Sequence, residues 1–207
     1  MWKRLKRNYG WVITLIIGLM PMLMILSVIS VDFSDGFSIS YTNAEGRNRL
    51  HWLIHETGEL AILWMVSVLT LTPIFILFGM TNIFVRQAMG LLCGWYSVLH
   101  VFFFIQDEGM AKIFTQFNFV AGFVALLILI PMMLTSNRKA IRKLKGAWKR
   151  MHKLVYIALF LTLVHVAILD KSWVGFAVVV GIGFLLRVPQ VKDKVISFRK
   201  GLFSKKL

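Results

Sequence analysis

Cysteine is all but missing from this sequence. The one present, Cys93, sits in an apolar run, so neither an intrachain disulfide nor a cysteine-based zinc site can form. No G-x-G-x-x-G follows a strand pattern, and no stretch of this sequence reads as a soluble domain that would bind a nicotinamide or a molybdenum cofactor. Acidic residues are few: nine Asp and Glu face 24 Lys and Arg, for a formal net charge of +15. Of the 207 residues, 58% are hydrophobic, and the mean hydropathy is +0.74. That balance excludes an ordinary soluble domain and describes a polytopic membrane protein.

Uncharged runs of membrane-crossing length set the expected architecture. The run 11–31 follows a basic start containing Lys3, Arg4, Lys6 and Arg7. At about 1.5 Å per residue it is long enough to cross a hydrocarbon core of roughly 30 Å. It is too long for a signal-peptide core and no A-x-A-like site follows it, so a retained first helix is expected. Further helices are expected over approximately 54–79, 86–106, 117–134, 151–169 and 173–187. The stretch 32–51 reads as an external loop. Pro73 predicts a kink or an early end to the second helix, and the short sixth helix relies on Lys171 and Arg187 snorkelling to the interfaces. The expectation is an all-α membrane protein, one domain over 1–207, with six transmembrane helices in a bundle.

The positive charge is partitioned along the chain. Segments 1–10, 79–86, 135–153 and 187–207 hold 20 of the 24 Lys and Arg, and of the nine acidic residues only Asp193 falls there. These segments alternate with the others, so they share one side, and the positive-inside rule makes that side cytoplasmic, with both termini inside. The partition reads the basic loop as topology and lipid-bilayer contact rather than as a nucleic-acid patch.

Histidine inside a lipid-spanning helix is costly and usually faces a bundle interior or a cavity. His100 lies in the third expected helix and His165 in the fifth, both running from inside to outside. His100 is 14 residues beyond Arg86, about 21 Å of helix rise, and His165 is 13 beyond His152, about 20 Å. Helices started at one level therefore place His100 and His165 at the same height, toward the outer face. Two imidazoles facing each other across a bundle can hold an iron porphyrin from both sides. With no C-x-x-C-H in the chain, that haem is bound non-covalently.

Arg86 and His152 share the lower level. A guanidinium has no lone pair for iron, so a complete bis-histidine site above and a half-site below are expected. Arg86 is instead expected to bind a carboxylate or phosphate of a cofactor near His152. Trp148, one turn before His152, either stacks on a planar ligand or anchors the interface. On a straight helix His152 and His165 stand about 140° apart, which requires either a π-bulge or two differently placed ligands. The structural alternatives are plain. For His100 and His165 the alternative is a pair of mid-membrane imidazoles bonded only to backbone carbonyls or bundle polar groups, and for His152 it is a solvated boundary histidine. His51 and His55 read as external rim, with His55 near the upper cofactor. The scarcity of other interior ionisable groups disfavours a transporter or channel.

At these residues the chain resembles a known family. HETGELA with TLTP on the second helix, RQAMGLLCGWYSVLH on the third, and TSN…RKLKGAWKRMHKLVY followed by LVHVAIL on the fifth carry the resemblance. In order and spacing they are similar to the YedZ/MsrQ-type haem-binding membrane subunits, within the wider ferric-reductase-like transmembrane domain shared with NADPH oxidases. The resemblance implies b-type haem held by His100 and His165, with His152 serving a second haem or a flavin (FMN) site. It implies an electron-transfer subunit of the bacterial inner membrane, supplied by a cytosolic flavin reductase. The implied acceptor is a periplasmic molybdopterin methionine-sulfoxide reductase; the alternatives are a ferric-reductase-like or quinone-linked transmembrane oxidoreductase with another acceptor, or a non-haem structural or transport membrane subunit. The chain departs from the NADPH-oxidase pattern at Arg86, which stands where the third helix would carry its lower histidine.

Overall fold

In the computed structural model, residues 2–34, 38–43, 45–77, 83–169 and 173–204 are described, with backbone alone at 2–8, 72, 76–77 and 199–204. Long apolar runs satisfy their own backbone groups as helices, as a lipid environment requires. They form α1 (Trp2–Leu19), α2 (Pro21–Leu26), α3 (Leu50–Leu77), α4 (Ile83–Glu108) and α5 (Phe117–Leu134). A 3-10 turn, Met110–Phe114, links α4 to α5. The basic stretch folds as α6 (Arg138–Leu144) and α7 (Gly146–His152), followed by α8 (Val155–Leu169), α9 (Trp173–Leu185) and α10 (Pro189–Ser204). Among the described residues five stretches are long and apolar enough to span a membrane: Tyr9–Leu26, Leu50–Phe75, Ile83–Glu108, Phe117–Leu134 and Gly146–Leu169. A sixth counts only if α9 and α10, bent by 77°, are one span. The protein is a multi-pass, mainly helical membrane protein.

The fourth helix has its expected bounds; elsewhere the boundaries move for local reasons. The first expected helix, 11–31, is interrupted at Met20, because Pro21 brings no N–H to continue the ladder. Its last residues are not helical at all. They enter β1 (Ile29–Asp32), which pairs antiparallel with β2 (Ser38–Tyr41) in the register Ile29↔Tyr41 to Asp32↔Ser38. Part of the expected loop 32–51, Asp32 and Ser38–Tyr41, is thus paired strand, with the Ser30 and Ser40 hydroxyls 2.6 Å apart, and α3 already begins at Leu50. The fifth expected helix, 151–169, is broken as well. Lys153 and Leu154 form a turn with bonds three residues apart, Lys153 N–H to the Arg150 carbonyl and Tyr156 N–H to the Lys153 carbonyl. The straight-helix phase between His152 and His165 therefore does not apply, and no π-bulge is needed. Upstream, Asn137 caps α6 by accepting the Ala140 N–H at 2.8 Å, and Lys145, at φ 46°, parts α6 from α7.

Pro73 does not end its helix. Lacking an N–H, it leaves the Leu69 carbonyl, four residues back, without its helical partner. Arg187 supplies the donor: Nη2 lies 2.6 Å from the Leu69 oxygen and Nη1 lies 2.9 Å from the Tyr156 hydroxyl. Its guanidinium also packs over the Tyr156 and Phe184 rings. Arg187 thus turns inward instead of snorkelling to an interface, because a bare carbonyl in an apolar setting is a stronger attraction. Lys171, its expected counterpart, and positions 78–79 of the second expected helix lie outside the described residues.

Two apolar clusters hold the bundle. One joins Ile62, Met65 and Leu69 of α3 to Leu129 of α5, Leu159 of α8 and Val180 of α9. The other packs Ile25 and Leu53 around Leu92, Tyr96 and Phe103 of α4. The fully buried Tyr96 donates its hydroxyl to the Gly18 carbonyl at 2.5 Å. Gly18 itself lets α1 close upon Leu92 and Trp64, where a Cβ would collide.

Candidate functional site

The site is set by two packed helix pairs, α3 with α4 and α5 with α8. His100 projects from α4, and its Nδ1 lies 2.8 Å from the Ile54 carbonyl of α3. His165 projects from α8, and its Nδ1 lies 2.7 Å from the Asn118 carbonyl of α5. A carbonyl only accepts, so each Nδ1 carries the hydrogen and each Nε2 keeps its lone pair. The two ring centroids are 6.2 Å apart, with planes crossing at 76°.

That spacing can be tested against a metal. A metal–imidazole bond of about 2.0 Å on each side, plus roughly 1 Å from nitrogen to ring centre, separates two trans imidazole centroids by about 6 Å. The pair fits one iron between them. Among the described residues no group of three or more His, Cys, Asp or Glu could hold a metal ion. The histidines line a cavity of about 480 Å³ whose walls include Ile62, Met65, Leu126 and Leu129, within the range of about 300–1,000 Å³ typical of cofactor sites. Its mouth carries His51, His55, Glu59, Asp107 and Glu108. His51 and His55, both expected on the external rim and His55 near the upper site, line this cavity, and His55 Nδ1 stands 3.3 Å from Glu59 Oε1.

The lower level gathers a different set. His152 ends α7 with its Nδ1 3.1 Å from the Trp148 carbonyl, and the Trp148 indole stacks on its imidazole at 3.9 Å and 27°. The indole N–H donates to the Thr135 carbonyl at 3.1 Å. Trp148 therefore spends one face on His152. The His152 Nε2 is buried and has no hydrogen-bond partner among the described residues, and the Met132 backbone lies close enough to act on the imidazole. Arg86 is within electrostatic range of His152, Tyr156 and Arg187. The structure thus brings Arg86, Trp148 and His152 into one neighbourhood, well separated along the helices from His100 and His165.

Sequence reasoning missed the groups that hold the upper pair. Gly58 and Gly122 each lie four residues after the accepting carbonyl, directly against a ring. A Cβ at Gly58 would sit 3.0 Å from Nδ1 and Cε1 of His100, and one at Gly122 would sit 3.0 Å from Nδ1 of His165. Their signal was available: Gly58-x-x-Ala61 recurs as Gly122-x-x-Ala125. Tyr156 and Arg187 had none, since their meeting depends on how α8, α9 and α3 pack.

The fold is that of a multi-pass transmembrane bundle enclosing a largely apolar cavity, into which two imidazoles with ring centres 6.2 Å apart are packed. Residues 57–163 match the family model described as ferric reductase like transmembrane component. The chain belongs to that family. Relatives from Brucella ovis and Brucella canis are each 35% identical over 144 residues, and one from Brucella melitensis is 34% identical over 144 residues. Each match covers 66% of this chain and 66% of the relative, just under two thirds of that protein's length. All three relatives are described as the haem-binding subunit MsrQ of a protein-methionine-sulfoxide reductase. No solved structure matches.

Proposed function

We propose that this chain is a b-type haem electron-transfer subunit of the bacterial inner membrane, with His100 and His165 as the residues that would hold one haem. The observation that carries the reading is the 6.2 Å opposition of two rings whose Nδ1 atoms are both tied to backbone carbonyls. Bound haem supplies one-electron chemistry at its iron. The protein orients both imidazoles, raises their basicity through the Nδ1 bonds, and keeps water out with apolar walls.

Below, Arg86, Trp148 and His152 are proposed to hold a second planar redox cofactor, FMN or haem, with Arg86 taking its phosphate or carboxylate. His100 lies 14 residues above Arg86, about 21 Å, so a direct transfer from the inner boundary would be long and a lower cofactor shortens it. Both termini and the basic segments face the cytoplasm, where a flavin reductase delivers electrons. The acidic cavity mouth faces the periplasm, where the acceptor is a molybdopterin methionine-sulfoxide reductase, the partnership that the relatives' description names in part.

The test begins with colour. Purified protein should show a Soret band that shifts on reduction, and His100→Ala or His165→Ala should each abolish most of it. Full haem retention in both variants refutes the ligand pair. Direction is tested with vesicles given reduced flavin and a flavin reductase: haem reduction should require access to the basic face, and equal reduction from either side would refute the route.

A further inference from the structure

The two histidines are held by one device built twice. Gly58, Ala61 and Ile62 of α3 recur 64 residues later as Gly122, Ala125 and Leu126 of α5. Ser97, His100 and Val101 of α4 recur 65 residues later as Thr162, His165 and Val166 of α8. Every one of these residues lines the cavity. The hydrogen bonds repeat as well. Ser97 donates to the Cys93 carbonyl at 2.8 Å, and its counterpart Thr162 donates to the Ala158 carbonyl at 2.9 Å. Each imidazole bonds a carbonyl on the preceding helix of its own pair, 46 residues earlier in one copy and 47 in the other.

We infer that the helix pairs α3–α4 and α5–α8 are two copies of one half-site, and that Gly58 and Gly122 are its ligand-positioning residues. The inference rests on the reading that His100 and His165 ligate haem. In each copy the absent Cβ lets the imidazole press against the neighbouring helix until Nδ1 reaches the carbonyl one turn earlier. An alanine Cβ would stand 3.0 Å from Nδ1 in either copy, tighter than ordinary van der Waals contact at about 3.5–4.0 Å. The ring must then withdraw by several tenths of an ångström, stretching a bond that now measures 2.7 or 2.8 Å. One tether and one contact per ring leave little freedom of rotation, so the 76° crossing of the planes follows from the two glycines and two carbonyls.

That crossing has a spectroscopic consequence. Each imidazole π orbital raises the iron dπ orbital it overlaps. Near-perpendicular planes raise both dπ orbitals alike and leave them nearly degenerate, which gives ferric haem one large g value. Parallel planes split them and give a rhombic three-line spectrum.

The experiment uses the full-length protein, purified with haem, and reads ferric EPR together with haem per protein. Wild type should show the single large g value. Gly58→Ala and Gly122→Ala should each move that value or weaken haem retention, on the order of ten-fold in affinity, as supporting groups around metal ligands do. Gly90→Ala is the control, since a Cβ there meets nothing within 4 Å, and it should leave both readings unchanged. Wild-type spectra and occupancy in both alanine variants at the cavity overturn the inference. If neither variant is recovered folded, the wild-type spectrum decides, and three rhombic lines overturn it. Full haem retention in His100→Ala removes the ligand reading underneath, whereas haem loss there with silent glycine variants sinks the positioning role alone.

Discussion

Replacing Arg187 with Met removes the donor that stands in for the missing amide of Pro73. The Leu69 carbonyl is then left bare in the packed region between α3 and α9. A hydrogen bond to a charged group contributes about 1.5–3 kcal/mol in proteins generally. Interhelical bonds inside membranes average only about 0.6 kcal/mol, reaching about 1.7. Because the Arg187 side chain is only partly buried, with its bond to Tyr156 on the exposed side, a loss of about 1–2 kcal/mol is expected from these two ranges. At about 2–4 °C per kcal/mol for a chain of this size, the melting midpoint should fall by about 2–8 °C. The decisive arm is a double-mutant cycle. Pro73→Ala returns an N–H to the Leu69 carbonyl, so Arg187→Met in that background should cost less, by a coupling of at least about 0.5 kcal/mol. Thermal unfolding in detergent, followed by tryptophan fluorescence, measures all four corners. If Arg187→Met is as costly in the Pro73→Ala background as in the wild type, the carbonyl was not what Arg187 satisfies.

Other variants probe the remaining joints. Arg86→Gln should weaken retention of the lower cofactor while the upper Soret band keeps its intensity; loss of both together would argue for a general folding defect. His152→Ala should slow haem reduction from the basic side of vesicles with the upper haem still bound, and an unchanged rate would leave the lower cluster outside the relay. Tyr96→Phe deletes the bond to the Gly18 carbonyl and should cost about 1 kcal/mol, read as a lower melting midpoint and faster proteolysis near Met20. Gly18→Val drives a Cβ into Leu92 and Trp64; overpacking of this kind costs about 1–3 kcal/mol, and a neutral result would mean that α1 is not closed upon α4 in the membrane.

What the sequence determined alone was length, charge placement and depth. Helix rise is constant, so counting 14 residues from Arg86 and 13 from His152 was enough to set His100 and His165 level, and the rings do meet. Rotation was another matter: the phase of about 140° counted between His152 and His165 does not apply, because the turn at Lys153–Leu154 breaks the helix. The hairpin at Ile29–Tyr41 was legible only weakly, in the alternation of ISVD and SISY around Asp35-Gly36, because strand pairing is a non-local bond that an apolar run next to it obscures. The glycines under the imidazoles could have been found as a repeat, yet not assigned a role. Which side of one helix faces which turn of another depends on rotation about the helix axes, and packing sets that rotation. Arg187 shows the limit most clearly. Its own stretch reads as an interfacial cation, but Pro73 leaves the Leu69 carbonyl, 118 residues before Arg187, without its helical partner, and only the folded bundle brings a donor to it.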